Sequence, residues 1–240
     1  MQAVGIIGTD VERETRWAPN LASNPLLQTF ASVKYNLSKS EEPFYSTYDY
    51  AKEIASFGDV KLLKNKYVLP LGFTYDKYMT RNAFDKLDNT TKKGIALINS
   101  FVIDDNEIQN YATFSAFETD SISANYGHEN YYADVYKTDR DSLQISRHTN
   151  NEIVGKINLD KPKLLFFSIP FDSGWQAVVD GKKMALQRVN VGFMGLPLEK
   201  GQHEVSLTFV PPYSRLGSAI GLIALVIYLF MATYWYRKIY

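Results

Sequence analysis

The sequence predicts a mainly β protein: an antiparallel β-sandwich or jelly roll, with a smaller α+β N-terminal portion and one C-terminal transmembrane helix. Three observations predict it. Between residues 112 and 211, short runs rich in Phe, Tyr, Val and Ile recur about every ten residues, separated by turn signals. Before residue 111 the pattern is mixed, with apolar residues at helical spacing between short strand-like runs. Residues 216–236 read LGSAIGLIALVIYLFMATYWY, 21 residues without a charge. The organisation is therefore residues 1–111 as the α+β portion, 112–212 as the sandwich and 216–236 as the membrane helix.

In the N-terminal portion, residues 24–35 (NPLLQTFASVKY) place Leu26, Leu27, Phe30 and Val33 on one helical face leading into a strand. Residues 48–57 suggest another helix, ended by Gly58. Residues 60–68 suggest two short strands joined around Lys64 and Asn65, and Pro70-Leu71-Gly72 is a breaker. Residues 81–101 suggest helix interrupted near Asn89 and Thr90. Asn36-Leu37-Ser38 and Asn89-Thr90-Thr91 match the glycosylation acceptor pattern, which has meaning only in a eukaryotic secretory setting.

In the β-rich part the expected strands are 113–117, 131–136, 142–147, 152–157, 164–169, 176–179, 183–189, 192–196 and 203–209. Asp180-Gly181 between two of them is a hairpin signal, because both positions of a type I′ turn need positive φ. Residues 164–169 (LLFFSI) are apolar almost throughout, which marks a central strand.

The run 216–236 is long enough to cross a hydrocarbon core of about 30 Å as a helix. Tyr234, Trp235 and Tyr236 stand where an interfacial aromatic belt lies. Arg237 and Lys238 follow the run and Arg215 precedes it, a bias that favours a cytoplasmic C-terminus and an extracytoplasmic domain. Residues 1–8 (MQAVGIIG) lack the basic and apolar regions of an export signal. The expectation is a C-terminal piece of a larger membrane protein; the competing expectation is a tail-anchored protein with a cytosolic domain.

Composition narrows the chemistry. Lys and Arg total 26 and Asp and Glu total 26, so no basic excess recommends nucleic acid as a partner. Without Arg237 and Lys238, 24 basic residues face 26 acidic ones. The absence of cysteine excludes disulfides, thiol catalysis and Cys-ligated metal. His128, His148 and His203 are far apart in sequence, without ligand spacing, and no metal or cofactor is expected. Asp104-Asp105, Glu41-Glu42 and Asp139 with Asp141 are carboxylate pairs of the kind a solvated loop carries. No phosphate loop, nucleophile elbow or basic run appears, so no catalytic residue is assigned.

The most distinctive stretch, 170–212, reads PFDSGWQAVVDGKKMALQRVNVGFMGLPLEKGQHEVSLTFVPP. It carries P-F-D-x-G-W (Pro170, Phe171, Asp172, Gly174, Trp175), V-D-G-K (Val179 to Lys182) and V-N-x-x-F-x-G (Val189, Asn190, Phe193, Gly195). L-x-x-G-x-H-x-V (Leu198, Gly201, His203, Val205) and Phe209, Pro211 and Pro212 complete it, just before the apolar run. In this it resembles the C-terminal extracytoplasmic module of YfhO-family bacterial membrane proteins. Upstream, residues 30–35 (FASVKY) and 67–73 (YVLPLGF) resemble further segments of that family, in the same order.

The resemblance implies a part of a long polytopic protein similar to type C glycosyltransferases, which use polyprenyl-phosphate sugars. Such proteins are linked to adding sugars to cell-surface polymers of the lipoteichoic acid kind. Their acidic catalytic residue is expected near the first membrane helices, so no activity is expected of this chain alone. Implied partners are the bacterial cytoplasmic membrane, the remaining transmembrane part of the parent protein, and a cell-surface glycopolymer or lipid-linked sugar. A membrane-anchored, non-catalytic carbohydrate-binding or structural module is the alternative.

Within the signature, Gly174 suits a turn, Trp175 suits packing between sheets, and Asn190 suits a tight connection. The functional expectation is that Asp172, Trp175 and Arg188 line a groove for sugar or polymer. An aromatic face stacks on sugar C–H surfaces, while Asp and Arg bind hydroxyl or phosphate groups. The Tyr-rich residues 126–136 are a second candidate surface.

Overall fold

The computed structural model describes residues 24–39, 50–123 and 125–239. The N-terminal segment 1–8, the Glu41-Glu42 pair and the first residues of the helix expected at 48–57 lie outside the described residues.

The chain starts with helix α1 (Pro25–Phe30), whose Asn24 caps it by accepting from the backbone N–H of Leu26 and Leu27. Strand β1 (Tyr35–Ser38) follows, then the hairpin β2 (Ala51–Phe57) and β3 (Val60–Asn65). These three form an antiparallel sheet in the order β1-β3-β2. Residues 51–57, expected as helix, are strand: the residues of β2 find their partners across Gly58-Asp59 on β3. Strand β4 (Gly72–Tyr75) then enters the sandwich, and β5 (Lys77–Thr80) starts a small parallel sheet. The helical stretch breaks as its sequence suggests, into α2 (Arg81–Asp85) and α3 (Thr90–Asn99). Asn89 caps α3 by accepting from Lys92 N–H. Strands β6 (Phe101–Ile103) and β7 (Ser115–Ala116) flank β5 in parallel.

Helix α4 (His128–Asp139) covers residues 131–136, which the Tyr and Val content had marked as strand. Its buried residues are Tyr131, Val135 and Thr138, spaced four and three apart, and that period decides for helix. The remaining strands are β8 (Gln144–His148), β9 (Glu152–Leu159), β10 (Lys163–Pro170), β11 (Trp175–Val179), β12 (Lys182–Met184), β13 (Gln187–Val189), β14 (Phe193–Leu198) and β15 (Gly201–Phe209). They divide between two antiparallel sheets, β13-β14-β10-β4 and β12-β11-β15-β9-β8. The fold is thus mainly β and antiparallel, as predicted. The four-stranded sheet takes β4 from before residue 111 and its other strands from beyond it.

That sheet is the middle layer. Its central strand β10 alternates between two cores: Leu165 and Phe167 face the five-stranded sheet, while Leu164 and Phe166 face α1, α3, α4 and the parallel sheet. A strand buried on both faces has no polar alternation, which explains the unbroken LLFFSI. Each such side chain contributes about 1.5–3 kcal/mol of burial. Asn190 ties the layers together. It is fully buried, its N–H donates to Val102 O at 2.8 Å, and its Oδ1 accepts from Val102 N–H. The β13–β14 turn is thereby clamped to β6.

Helix α5 (Ser214–Ile239) ends the chain. Its apolar stretch Leu216–Lys238 covers 23 residues, long enough to cross a membrane, and none of it is buried against the rest of the fold.

Candidate functional site

Two ends of the sandwich concentrate polar and aromatic groups. The first is where the chain leaves for α5. Strand β15 ends at Phe209, paired with Trp175, and their rings lie 5.2 Å apart. The loop before Trp175 is an Asx turn: Asp172 Oδ1 accepts from Gly174 N–H at 2.7 Å, and Asp172 O accepts from Trp175 N–H. Gly174 O in turn accepts from Val210 N–H at 2.9 Å. The Pro170–Trp175 signature therefore closes on the strand that becomes the membrane helix. Tyr213 sits at φ 63° just before α5 and is 83% exposed, where an interfacial ring belongs.

The three residues expected to line a groove all lie at this end. Asp172 is exposed and turns the loop. Trp175 is half-buried and packs against the sandwich core as well as Phe209. Arg188, on edge strand β13, places its guanidinium 5.2 Å from the centre of the Phe171 ring. Phe171 is thus a member of this surface that residue type alone did not single out. Its backbone N–H donates to Gly192 O, which holds it beside the β13–β14 turn.

At the opposite end, a cleft of about 610 Å³ opens between β8, β9 and the start of β15. Its lining includes Arg140, Asp141, Lys156, Asn158, Gln202 and His203. A smaller one of about 170 Å³ adjoins it and shares Arg140 and Asp141. Its floor is Lys163, 8% exposed, which pairs with Asp141 and, at 3.3 Å, with Asp160. Asp141 thus belongs to an ion-pair cluster. Across the rim, Lys161 pairs with Asp76 at 2.6 Å. Burial would raise the Asp76 carboxyl, but Lys161 and the neighbouring lysines outweigh it and hold it below the usual range.

Two signature segments clip each other at this end. Asp180, in the left-handed region at φ 50° beside Gly181, accepts from His203 Nδ1 at 2.8 Å and from Glu204 N–H at 2.9 Å. His203 Nε2 lies 3.0 Å from Glu199 O. Both ring partners only accept, and a neutral imidazole donates from one nitrogen, so the charged ring satisfies both. Burial works against the charge on His203, but Asp180 and the Glu199 carbonyl outweigh it and raise its pKa. The Glu204 N–H, then His203, lowers that of Asp180. The sign follows from these directions. The His203 contribution is fully present below its unfolded value of about 6.5 and is lost as pH rises through the folded value. The Asp180 contribution is present above about 3.9 and is lost as pH falls through its folded value. The melting temperature in detergent is therefore expected to fall more between about pH 5.5 and about pH 8.5 for the native chain than for His203→Gln. Equal falls in both would contradict the clip.

A third surface is aromatic. Tyr132 and Tyr136, one turn apart on α4, stack at 6.0 Å and 20° and are 50% and 59% exposed. Tyr67 packs edge-on to Tyr132, and its hydroxyl lies 2.8 Å from His128 Nε2. Of the glycosylation patterns, Asn36 Nδ2 donates to Gln28 and Asn65, and Asn89 is a helix cap. Among the described residues no three His, Asp or Glu side chains come together as a metal-ligand set.

The family description "Bacterial membrane protein YfhO" matches residues 123–221, from α4 through the sandwich into the first turns of α5. That segment is similar to the YfhO family of bacterial membrane proteins. The "Uncharacterized protein YfhO" of Bacillus subtilis (strain 168) is 28% identical over 80 residues, which cover 33% of this chain and 9% of that protein. No solved structure matches the chain. The YfhO segment and the apolar helix together make this a membrane protein.

Proposed function

We propose that this chain is the extracytoplasmic accessory part of a YfhO-like polytopic membrane glycosyltransferase. It positions the acceptor polymer, or covers the site of a polyprenyl-phosphate sugar, while the catalytic residue stands elsewhere in the parent. The observation that carries this reading is the closure of the Pro170–Trp175 signature on the strand that becomes α5, inside the YfhO segment. Only residues 210–213 separate the closed strand from the apolar helix, so this surface stands near the bilayer that the helix enters. Asp172, Phe171, Trp175 and Arg188 supply that surface with carboxylate, aromatic and guanidinium groups, the set that binds hydroxylated and phosphorylated chains. The domain faces outward, with Arg237 and Lys238 on the cytoplasmic side.

The test uses the full reading frame that carries this chain. Arg188→Gln and Asp172→Asn are expected to lower the sugar content of the cell-surface polymer while leaving the amount of membrane-inserted protein unchanged. Unchanged sugar in both variants would overturn the assigned surface. A purely structural domain would lose sugar only in variants whose protein level falls.

A further inference from the structure

The three-stranded sheet β1-β3-β2 has two unlike faces. Leu63, Asn65 and Ala51 point one way and are buried against the body of the protein. The other face carries Tyr35, Leu37, Leu62 and Phe57: Leu37 is registered with Leu62, Phe57 with Val60 and Tyr35 with Lys64. Leu37 is 73% exposed, Phe57 69% and Tyr35 50%. Single exposed apolar residues are ordinary, but several on one sheet face mark a contact surface.

Among the described residues of these strands, the charge on this face has one sign. Lys52 and Lys64 stand directly opposite each other, with Tyr35 in the same row. Like charges in that position destabilise a sheet. The carboxylate of β2, Glu53, is registered with Leu63 on the other face, where it pairs with Lys61. An anionic surface laid against the lysines relieves their repulsion.

The sheet is rooted at the end of the sandwich from which α5 departs. Ser32, just before β1, hydrogen-bonds Ser168 near the end of β10, and Gly72, after β3, registers with Phe167. From there β10 runs through 171–174 to Trp175, the partner of Phe209.

We infer that the Tyr35, Leu37 and Phe57 face of this sheet lies on anionic lipid, with Lys52 and Lys64 against the headgroups. Apolar burial and cationic attraction are the two signals that interfacial attachment requires. The occupant is lipid and not a protein groove because the described face combines one charge sign with aliphatic and aromatic tips, on a sheet rooted at the end of the sandwich from which the apolar helix departs. The inference goes beyond sugar transfer and stands whether or not the parent transfers sugars.

The chain has no cysteine, so Phe57→Cys gives a unique position for an environment-sensitive dye. The labelled full chain is inserted through α5 into vesicles of phosphatidylglycerol or of phosphatidylcholine that carry a lipid-borne quencher. Quenching and a blue shift are expected in phosphatidylglycerol and much less in phosphatidylcholine. A lysine near an anionic surface is worth about five-fold in partition, so Lys52→Gln with Lys64→Gln is expected to lower the bound-to-free ratio of the hairpin about twenty-five-fold. A dye that stays in water in both vesicles overturns the inference and leaves the face to a protein partner. Quenching that ignores lipid charge and the lysine changes overturns it as well.

Discussion

Phe166→Ala is expected to destabilise the chain by about 3–5 kcal/mol, the range for truncating a fully buried phenylalanine. Phe166 is at 0% exposure on the central strand of the middle layer. Its ring lies 4.9 Å from Phe73, 5.1 Å from Phe30, 5.5 Å from Tyr75 and 5.6 Å from Phe193. Those partners come from β4, α1 and β14, so the cavity would open where the N-terminal helices meet the sandwich. Aromatic pairs add to the loss beyond their buried area. Domains of this kind are stable by about 5–15 kcal/mol, so the change removes a large share. Urea unfolding in detergent checks it, with Lys183→Ala as the exposed control, expected within about 0.5 kcal/mol of the native chain. A loss below about 1 kcal/mol for Phe166→Ala would contradict the packing described.

Asn190→Asp is expected to cost about 3–5 kcal/mol at neutral pH, as an uncompensated buried charge does. The substitution keeps the shape and the oxygen that accepts from Val102 N–H. It replaces Nδ2, a buried atom without a hydrogen-bond partner, by an oxygen in the same enclosure. The hydroxyl of Tyr75, a neighbour of Asn190, already donates to Leu97 O. The carboxyl is therefore driven toward its neutral form and its pKa rises in the folded state. Stability of the variant then falls as pH rises above the unfolded value of about 3.9, opposite to the usual paired carboxylate. Denaturant midpoints for the variant and native chains are expected to converge near pH 4 and separate toward pH 7. A gap that does not depend on pH would place the cost in the turn instead.

These two residues show what sequence reading reaches. The LLFFSI run marked a central strand because burial on both faces removes alternation, a local signature. Asp180-Gly181 marked its hairpin for an equally local reason, since both residues take positive φ. The apolar run of α5 needs only length and absence of charge. By contrast, the partners of Asn190 and Phe166 lie about 90 residues or more away in part. No spacing rule carries that information. Tyr131 and Val135 misled because tyrosine and valine favour strands, while the helical period of the buried positions was short. Residues 51–57 misled because β2 is specified by its pairing with β3 and by a bulge, not by alternation. The candidate site divides in the same way. Asp172, Trp175 and Arg188 were named from type and motif, and Phe171 joined them only when the turn beside Gly192 brought its ring under Arg188.

We propose that the sandwich stands outside the cell membrane as the outer part of a YfhO-like enzyme. Cysteine labelling in intact bacteria with a membrane-impermeant maleimide decides it. The native chain has no cysteine, so each variant carries one. Ser173→Cys, in the exposed loop beside Asp172, is expected to react in intact cells, and Lys238→Cys only after the membrane is opened. The reverse pattern would put the domain in the cytoplasm and remove the proposed role.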